Sequence, residues 1–366
     1  AETAPDVPTR PAGVINGATT SISLDSAHRD PAGTDLLMVS AHCPDGLRDQ
    51  AANYARTLHE AGRSGVSHRA VAAAAIHRRE RMPERLVISG RNGSEMAETL
   101  ERFAAGDAPT QAITNRAAAD AARTALVFSG NGAQWDGMGR AAFESSATFR
   151  HHFRAVDDHY RAIAGDSLEE LLFAADLADR LVLTEIAQPL LFAIQVALAR
   201  TLEAQGLAFT ATIGHSVGEV AAAHIAGGLD LAHAVAVIRA RSHHQELAAG
   251  QGLMAAIQSS PEAVAELIEQ SGLDSIEVAA LNSPRSVTVS GTPGDIQAFT
   301  HLAETRRIAS RILDINNPFH SALLDAIRAP LLETLSGLDP TPTTCVRNST
   351  VTGAKLDGRQ LGHDYW

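Results

Sequence analysis

Phe209-Thr210-Ala211-Thr212-Ile213, then Gly214-His215-Ser216-Val217-Gly218, then Glu219-Val220-Ala221-Ala222-Ala223-His224-Ile225-Ala226: the reading of this run decides the fold. The first five residues, rich in β-branched side chains, predict a short buried strand. The last eight predict a helix. Between them stands G-x-S-x-G, and strand, turn and helix in that order turn a common pentapeptide into a nucleophile elbow. The glycines are required because so tight a turn leaves no room for a Cβ beside the serine. Ser216 then sits at a helix N-terminus, where free N–H groups and partial positive charge favour a developing anion. Gly and Ser are ordinary turn residues too, so the weight of the match lies in its two flanks.

The bulk properties narrow the class. With 366 residues the chain is long enough for two or three domains. A hydrophobic share of 45% and a charged share of 20% are those of a soluble globular protein. A net charge of -12 without any basic cluster argues against a nucleic-acid partner. Cys43 and Cys345 have neither metal-type nor redox-type spacing, which predicts reduced thiols in a cytoplasmic protein and no metal site. No apolar run approaches membrane-spanning length and no signal peptide opens the chain, so no membrane association is expected. The first residue is Ala1 rather than Met, as in a piece of something longer.

Along the chain, residues 1–34 have the Pro, Gly, Ala, Ser and Thr of an extended linker. A small α/β unit follows: strand Leu36 to Ser40, helix Asp45 to Ala61, helix His68 to Arg79, strand Leu86 to Ser89, helix Ser94 to Ala105. A strand from Thr124 to Phe128 then runs into Ser129-Gly130-Asn131-Gly132-Ala133-Gln134-Trp135-Asp136-Gly137-Met138-Gly139. Such a loop could cradle a phosphate, but the P-loop lysine is absent, and backbone N–H groups set near the serine are a better use of it. Glu185 to Gln205 is helical, with Pro189 in its first turns. After the elbow, Leu231 to Leu247 is an amphipathic helix carrying Arg239, Arg241, His243 and His244. Leu253 to Ile315 reads β-α-β-β-α-β, the ferredoxin-like order, inserted into the serine unit. A helix is expected from Ser321 and a strand over Cys345 to Val351.

Serine needs a base to be a nucleophile at neutral pH, and sixteen histidines compete for that role. Most stand on helix faces, where a solvated or packed imidazole is the simpler reading. His320 differs, because it follows Asn316-Asn317-Pro318-Phe319 on a loop at the end of the inserted unit, a place where rigid elements hold catalytic groups.

Several segments together resemble the acyltransferase domain of modular and iterative type I polyketide synthases, within the malonyl-CoA:ACP transacylase family. They are Phe128 to Trp135, Gln188-Pro189, Gly214 to Glu219, Arg241-Ser242, Asn282-Ser283-Pro284, Pro318 to Ser321 and Ser349 to Gly353, in family order. The expected fold is α/β: an α/β-hydrolase-like large subdomain (121–252 and 316–366) with an inserted ferredoxin-like small subdomain (253–315). A small α/β domain (35–120) precedes them and resembles the linker between ketosynthase and acyltransferase.

The resemblance implies that Ser216 attacks the thioester of an acyl-CoA, with His320 as base and then acid. The thiol of a phosphopantetheine on an acyl carrier protein would then take the acyl group from the serine. The oxyanion would be held by the backbone N–H groups of Val217 and Asn131. Asn131 stands where the family has glutamine, an exchange that leaves the backbone donor in place. Arg241 matches the arginine that pairs with the free carboxylate of a dicarboxylic acyl group, a task for a forked guanidinium. Arg239, two residues away, faces another side of the helix. Gln188, His215, Asn282 and Phe319 are the implied pocket residues. Val217 and Phe319 are of the types common in malonyl-selective members, although Asn317-Pro318 departs from the usual malonyl motif. Malonyl-CoA is therefore the expected substrate, with no bound cofactor, and the implied partners are a carrier protein and an adjacent ketosynthase domain. Two other readings remain open: a serine hydrolase or thioesterase with Asp314 completing a triad, and a silent scaffold module of a synthase.

Overall fold

In β1 (Asp35–Ala41), Leu37, Val39 and Ala41 are buried and the residues between them are not, as expected of a strand with one covered face. The computed structural model describes residues 35–117 and 123–366, and contacts divide the chain into two units at Ala119. The linker expected over residues 1–34 lies outside the described residues. In the first unit, α1 (Pro44–Arg63), α2 (His68–His77), β2 (Glu84–Gly90), α3 (Gly93–Ala104) and β3 (Ala112–Arg116) follow β1. The three strands form an antiparallel sheet in the order β1-β2-β3. Leu47, Ala51, Ala55 and Leu58 of α1 and Met96 and Leu100 of α3 fill the space over it. β3 was not expected, because none of its residues is buried, so no alternation marks it and only its pairing with β2 defines it.

The second unit opens with β4 (Ala125–Phe128) and the glycine loop. Five helices follow: α4 (Arg140–Ser145), α5 (Ala147–Ala164), α6 (Leu168–Leu172), α7 (Leu177–Arg180) and α8 (Thr184–Ala204). Then come β5 (Ala211–Gly214), α9 (Gly218–Ile225) and α10 (Leu231–Glu246). Phe149, Phe153, Leu190, Phe192, Val220 and Ile238 join these helices in one core. The inserted stretch forms β6 (Leu253–Ile257), α11 (Pro261–Ser271), β7 (Glu277–Ser283), β8 (Ser286–Gly291), α12 (Pro293–Thr305) and β9 (Ser310–Ile312). Its antiparallel sheet runs β7-β8-β6-β9, which is the ferredoxin-like order. Ser260 and Thr292 cap its two helices, each followed by a proline in the first turn. The last strand is shorter than the expected run to Ile315, since only Ser310–Ile312 pairs with β6. Beyond it, the helix expected at Ser321 begins as a 3-10 turn (Ala322–Leu324), and α13 (Asp325–Thr334) follows, with Ser321 itself extended.

β10 (Val346–Ser349) returns to the first part of this unit, and β10-β5-β4 form a parallel sheet. Phe128, Gly214 and Ser349 are in register, so all three strands end at one level, where ligands bind in parallel sheets. One buried carboxylate ties that edge together. Glu219, in the first turn of α9, pairs with the fully buried Arg347 and accepts from Tyr365 Oη. Its Oε1 lies 2.8 Å from Thr350 Oγ1, and that hydroxyl also lies 2.9 Å from the carbonyl oxygen of Gly214.

An uncompensated charge in such a place costs far more than the pair contributes when complete, about 3–5 kcal/mol for removal of one partner. Arg347→Met should lower the free energy of unfolding by that amount in a denaturant titration. Glu219→Gln, added to it, should recover part of the loss by removing the stranded charge. Strictly additive losses in the double variant would show that the two charges do not interact.

Candidate active site

The elbow is built by close approach. A Cβ on Gly214 would stand 2.2 Å from the backbone carbon of Gly218, and one on Gly218 would stand 2.4 Å from the carbonyl oxygen of Phe128. Only glycine fits either position, so β4, β5 and α9 meet with backbone against backbone. Ser216 between them has φ of 51°, a left-handed conformation that costs a non-glycine residue about 1–3 kcal/mol and lifts its hydroxyl out of the turn.

The partner arrives on the loop after the inserted unit. The Asn316 carbonyl accepts from Gly250 N–H at 2.8 Å, and buried Asn317 donates its amide to Thr184 Oγ1 at 2.9 Å. Phe319 is buried beside them. His320 follows with φ of 60°, a second left-handed residue, and its Nε2 lies 2.9 Å from Ser216 Oγ. The ring opens to the cleft, yet protein surrounds it on the other sides. That burial, then Arg241 and then His215, pushes its pKa down to about 4. At neutral pH His320 is therefore a neutral imidazole able to accept the serine proton. Both neighbours act against its protonation, and among the described residues no carboxylate stands within ion-pair distance of its ring. Asp314 therefore completes no triad with it.

A cleft of ≈ 1040 Å³ brings Ser216, His320, His215 and Arg241 together. Arg241 donates from Nη1 to the Trp366 carbonyl at 3.1 Å, while its buried Nε has no acceptor among the described residues. Burial lowers its pKa from the ordinary value and nearby Glu219 opposes that shift, but a guanidinium stays charged at neutral pH. Arg239 does not line this cleft. Asn131 and Val217 do not line it either, but among the described residues neither backbone N–H has an acceptor. Gly130, next to Asn131, packs so closely that a Cβ would stand 2.6 Å from His215 Nδ1. Of the remaining expected pocket residues, Asn282 is exposed on β7 with its amide on Thr288 Oγ1 at 2.8 Å. Gln188 is buried behind the cleft and donates to Gln245 Oε1 at 2.9 Å.

Sequence reasoning missed Gln245, which lines the cleft one helical turn beyond Arg241. The signal available was that spacing of four on α10. It also missed the apolar part of the cleft lining formed by Leu324, Ile327, Leu331 and Leu332. Among the described residues no group of three or more His, Cys, Asp or Glu is placed to hold a metal ion, and no helix is long and apolar enough to cross a membrane. Cys43 and Cys345 are free.

Comparison with known proteins identifies the family and the fold. The family model described as acyl transferase domain matches residues 125–366. Erythronolide synthase EryA2 of Saccharopolyspora erythraea is 33% identical over 361 residues, which is 96% of this chain and 10% of that protein. The chain thus spans about a tenth of the length of the curated relatives it matches. The acyltransferase domain from module 8 of the salinomycin polyketide synthase superposes with a TM-score of 0.83 at 31% identity, covering 91% of this chain and 78% of that one. The acyl-carrier-protein-S-malonyltransferase from Bartonella henselae gives 0.58 at 27% identity, covering 64% and 76%. The mixed α/β fold is the one these acyltransferases share.

The depressed His320 pKa has a sign that can be checked. The unfolded chain takes up this proton near 6.5 and the folded chain only near 4, so this group's contribution to stability declines as pH falls between those values. An NMR titration of the His320 ring should give a midpoint near 4. In Arg241→Ala the midpoint should rise, because a positive neighbour is gone, but burial should keep it below 6.5. A wild-type midpoint at 6.5 would contradict this electrostatic picture.

Proposed function

The chain belongs to the acyl transferase domain family in the form found in type I polyketide synthases, and from that premise we propose that it carries an extender acyl group, malonyl on our reading, from coenzyme A to an acyl carrier protein. Ser216 Oγ attacks the thioester carbonyl as His320 Nε2 takes its proton. The tetrahedral oxyanion faces the free N–H groups of Val217 and Asn131. Collapse breaks the carbon–sulfur bond, and His320 returns its proton to the coenzyme A thiolate. The phosphopantetheine thiol of the carrier then gives its proton to His320 and attacks the acyl-serine ester. The second collapse restores the Ser216 hydroxyl with that proton.

The observation that carries this reading is the 2.9 Å contact between Ser216 and His320 in a cleft that also holds Arg241. Arg241 gives that cleft a cation suited to the free carboxylate of a dicarboxylic acyl group, for which a simple esterase has no use. Support for malonyl comes from Val217 and Phe319. Both are buried behind the cleft wall, so they act on the room for a branch through Ser216 and His320, which they adjoin. The Bartonella henselae malonyltransferase points the same way. The carrier protein and a ketosynthase neighbour are proposed as partners because the relatives are multidomain synthases many times longer than this chain.

Intact mass spectrometry after incubation with malonyl-CoA should find one malonyl group on the wild type and none on Ser216→Ala. Labelling of the alanine variant would place the nucleophile elsewhere, and an unlabelled wild type would favour a silent module. His320→Ala should slow acylation by a factor of about 10² to 10⁴. In competition between malonyl-, methylmalonyl- and acetyl-CoA, the wild type should choose malonyl, and Arg241→Ala should lose malonyl far more than acetyl. Equal loss of both would make Arg241 structural.

A further inference from the structure

Two glutamines sit where an apolar pair would be expected. Gln188 is 3% exposed and Gln245 is 7% exposed, and around them α8 and α10 present Ile186, Leu190, Leu191, Val237 and Ile238 to the core. The pair is incompletely satisfied. Gln188 Nε2 donates to Gln245 Oε1 at 2.9 Å, but the buried Gln188 Oε1 has no partner among the described residues. Leaving a buried acceptor unmade is costly, whereas replacing both members by apolar groups of the same shape is close to neutral. Stability therefore does not account for these amides, and their position does. Gln245 borders the cleft on the same face of α10 as Arg241, four residues on, with Ser216 and His320 bordering the same space. With its oxygen held by Gln188, the remaining face of the Gln245 amide is its NH₂, on a side chain that borders the cleft.

We propose that Gln245, aimed by Gln188, is a specificity-determining residue whose amide N–H donates to the carboxylate of the acyl group beside Arg241. The inference deepens the transfer reading and rests on it. Arg241 gives one of its five N–H donors to the Trp366 carbonyl, and a two-pronged contact from the guanidinium fills only part of the roughly four lone-pair sites of a carboxylate. Gln245 supplies the missing donor without adding charge, and a substrate lacking the carboxylate gains nothing from it. Gln188 touches no substrate. It is a positioning residue that stops the Gln245 amide from turning its oxygen toward the anion.

The test is competition between malonyl-CoA and acetyl-CoA for Ser216 of the full chain, read by intact mass, in wild type, Gln245→Met, Gln188→Met and the double variant. Methionine conserves volume in an apolar setting, so the double variant should melt close to the wild type, while each single variant, which strands the other buried amide, should melt a few degrees lower and still fold. Loss of a hydrogen bond to a charged group should lower the malonyl-to-acetyl ratio about 10- to 100-fold in Gln245→Met. Gln188→Met should lower it less, and the double variant should match Gln245→Met alone, because Gln188 acts only through Gln245. If Gln245→Met does not fold, Gln188→Met carries the test by the same ratio. A wild type that malonylates Ser216 while the variants keep its ratio, or lose both transfers in proportion, overturns this inference and leaves the transfer reading intact. A wild type that takes no acyl group from either donor overturns both.

Discussion

Glu219 follows the elbow's second glycine, and its carboxylate is the point on which β5, α9 and β10 converge. Arg347, Thr350 and Tyr365 reach it from far along the chain, and each contact draws the end of β10 against the turn that carries Ser216. Ions withdrawn from water stay paired only when the geometry is good and the remaining lone pairs are filled, so this cluster tolerates little displacement. That intolerance matters to the two strained residues above it. Ser216 and His320 both hold left-handed backbone angles, and such angles persist only where the surroundings over-determine them. On the serine side the constraint is Glu219 with the backbone approaches at Gly214 and Gly218. On the histidine side it is buried Asn317 on Thr184, whose own N–H is held by Glu246.

The parts visible in the sequence are those whose causes are local. Gly214 and Gly218 are required by atoms within a few residues or on the next strand, so the elbow could be read as a pentapeptide in context. The inserted unit was legible because Ser260-Pro261 and Thr292-Pro293 mark helix starts and the strands of that unit differ from its helices in period. β3 was hidden because an edge strand with no buried residue has no pattern to show. The helix near Ser321 began late because Pro318 to Ser321 is committed to presenting His320, with Ser321 Oγ bonded back to the Pro318 carbonyl at 2.8 Å.

Legibility in the site divides along the same line. Ser216 could be found from its neighbours, and His320 from its loop and the family resemblance. Gln245 could not, because what distinguishes it from any helical glutamine is a contact with Gln188, a residue on another helix. Glu219 was quoted as part of a motif, but its role depends on Arg347, Thr350 and Tyr365, which no local period brings near. Asn282, implied as a pocket residue, is instead turned to Thr288 on its own sheet. Long-range polar pairs leave no periodic trace, and here such pairs do much of the positioning.

One cause, withdrawal from water, produces both electrostatic features of the cleft. Burial pushes His320 toward its neutral form, which can accept a proton, and burial also leaves Arg241 with an Nε that has no acceptor among the described residues. The two effects reinforce each other, since the guanidinium charge further lowers the affinity of the imidazole for a proton. A cation in this setting is stabilised by a carboxylate more than by water, whereas a neutral acyl group of the same size leaves it unpaired. The conditions that keep the base ready therefore also make the cleft selective for an anion.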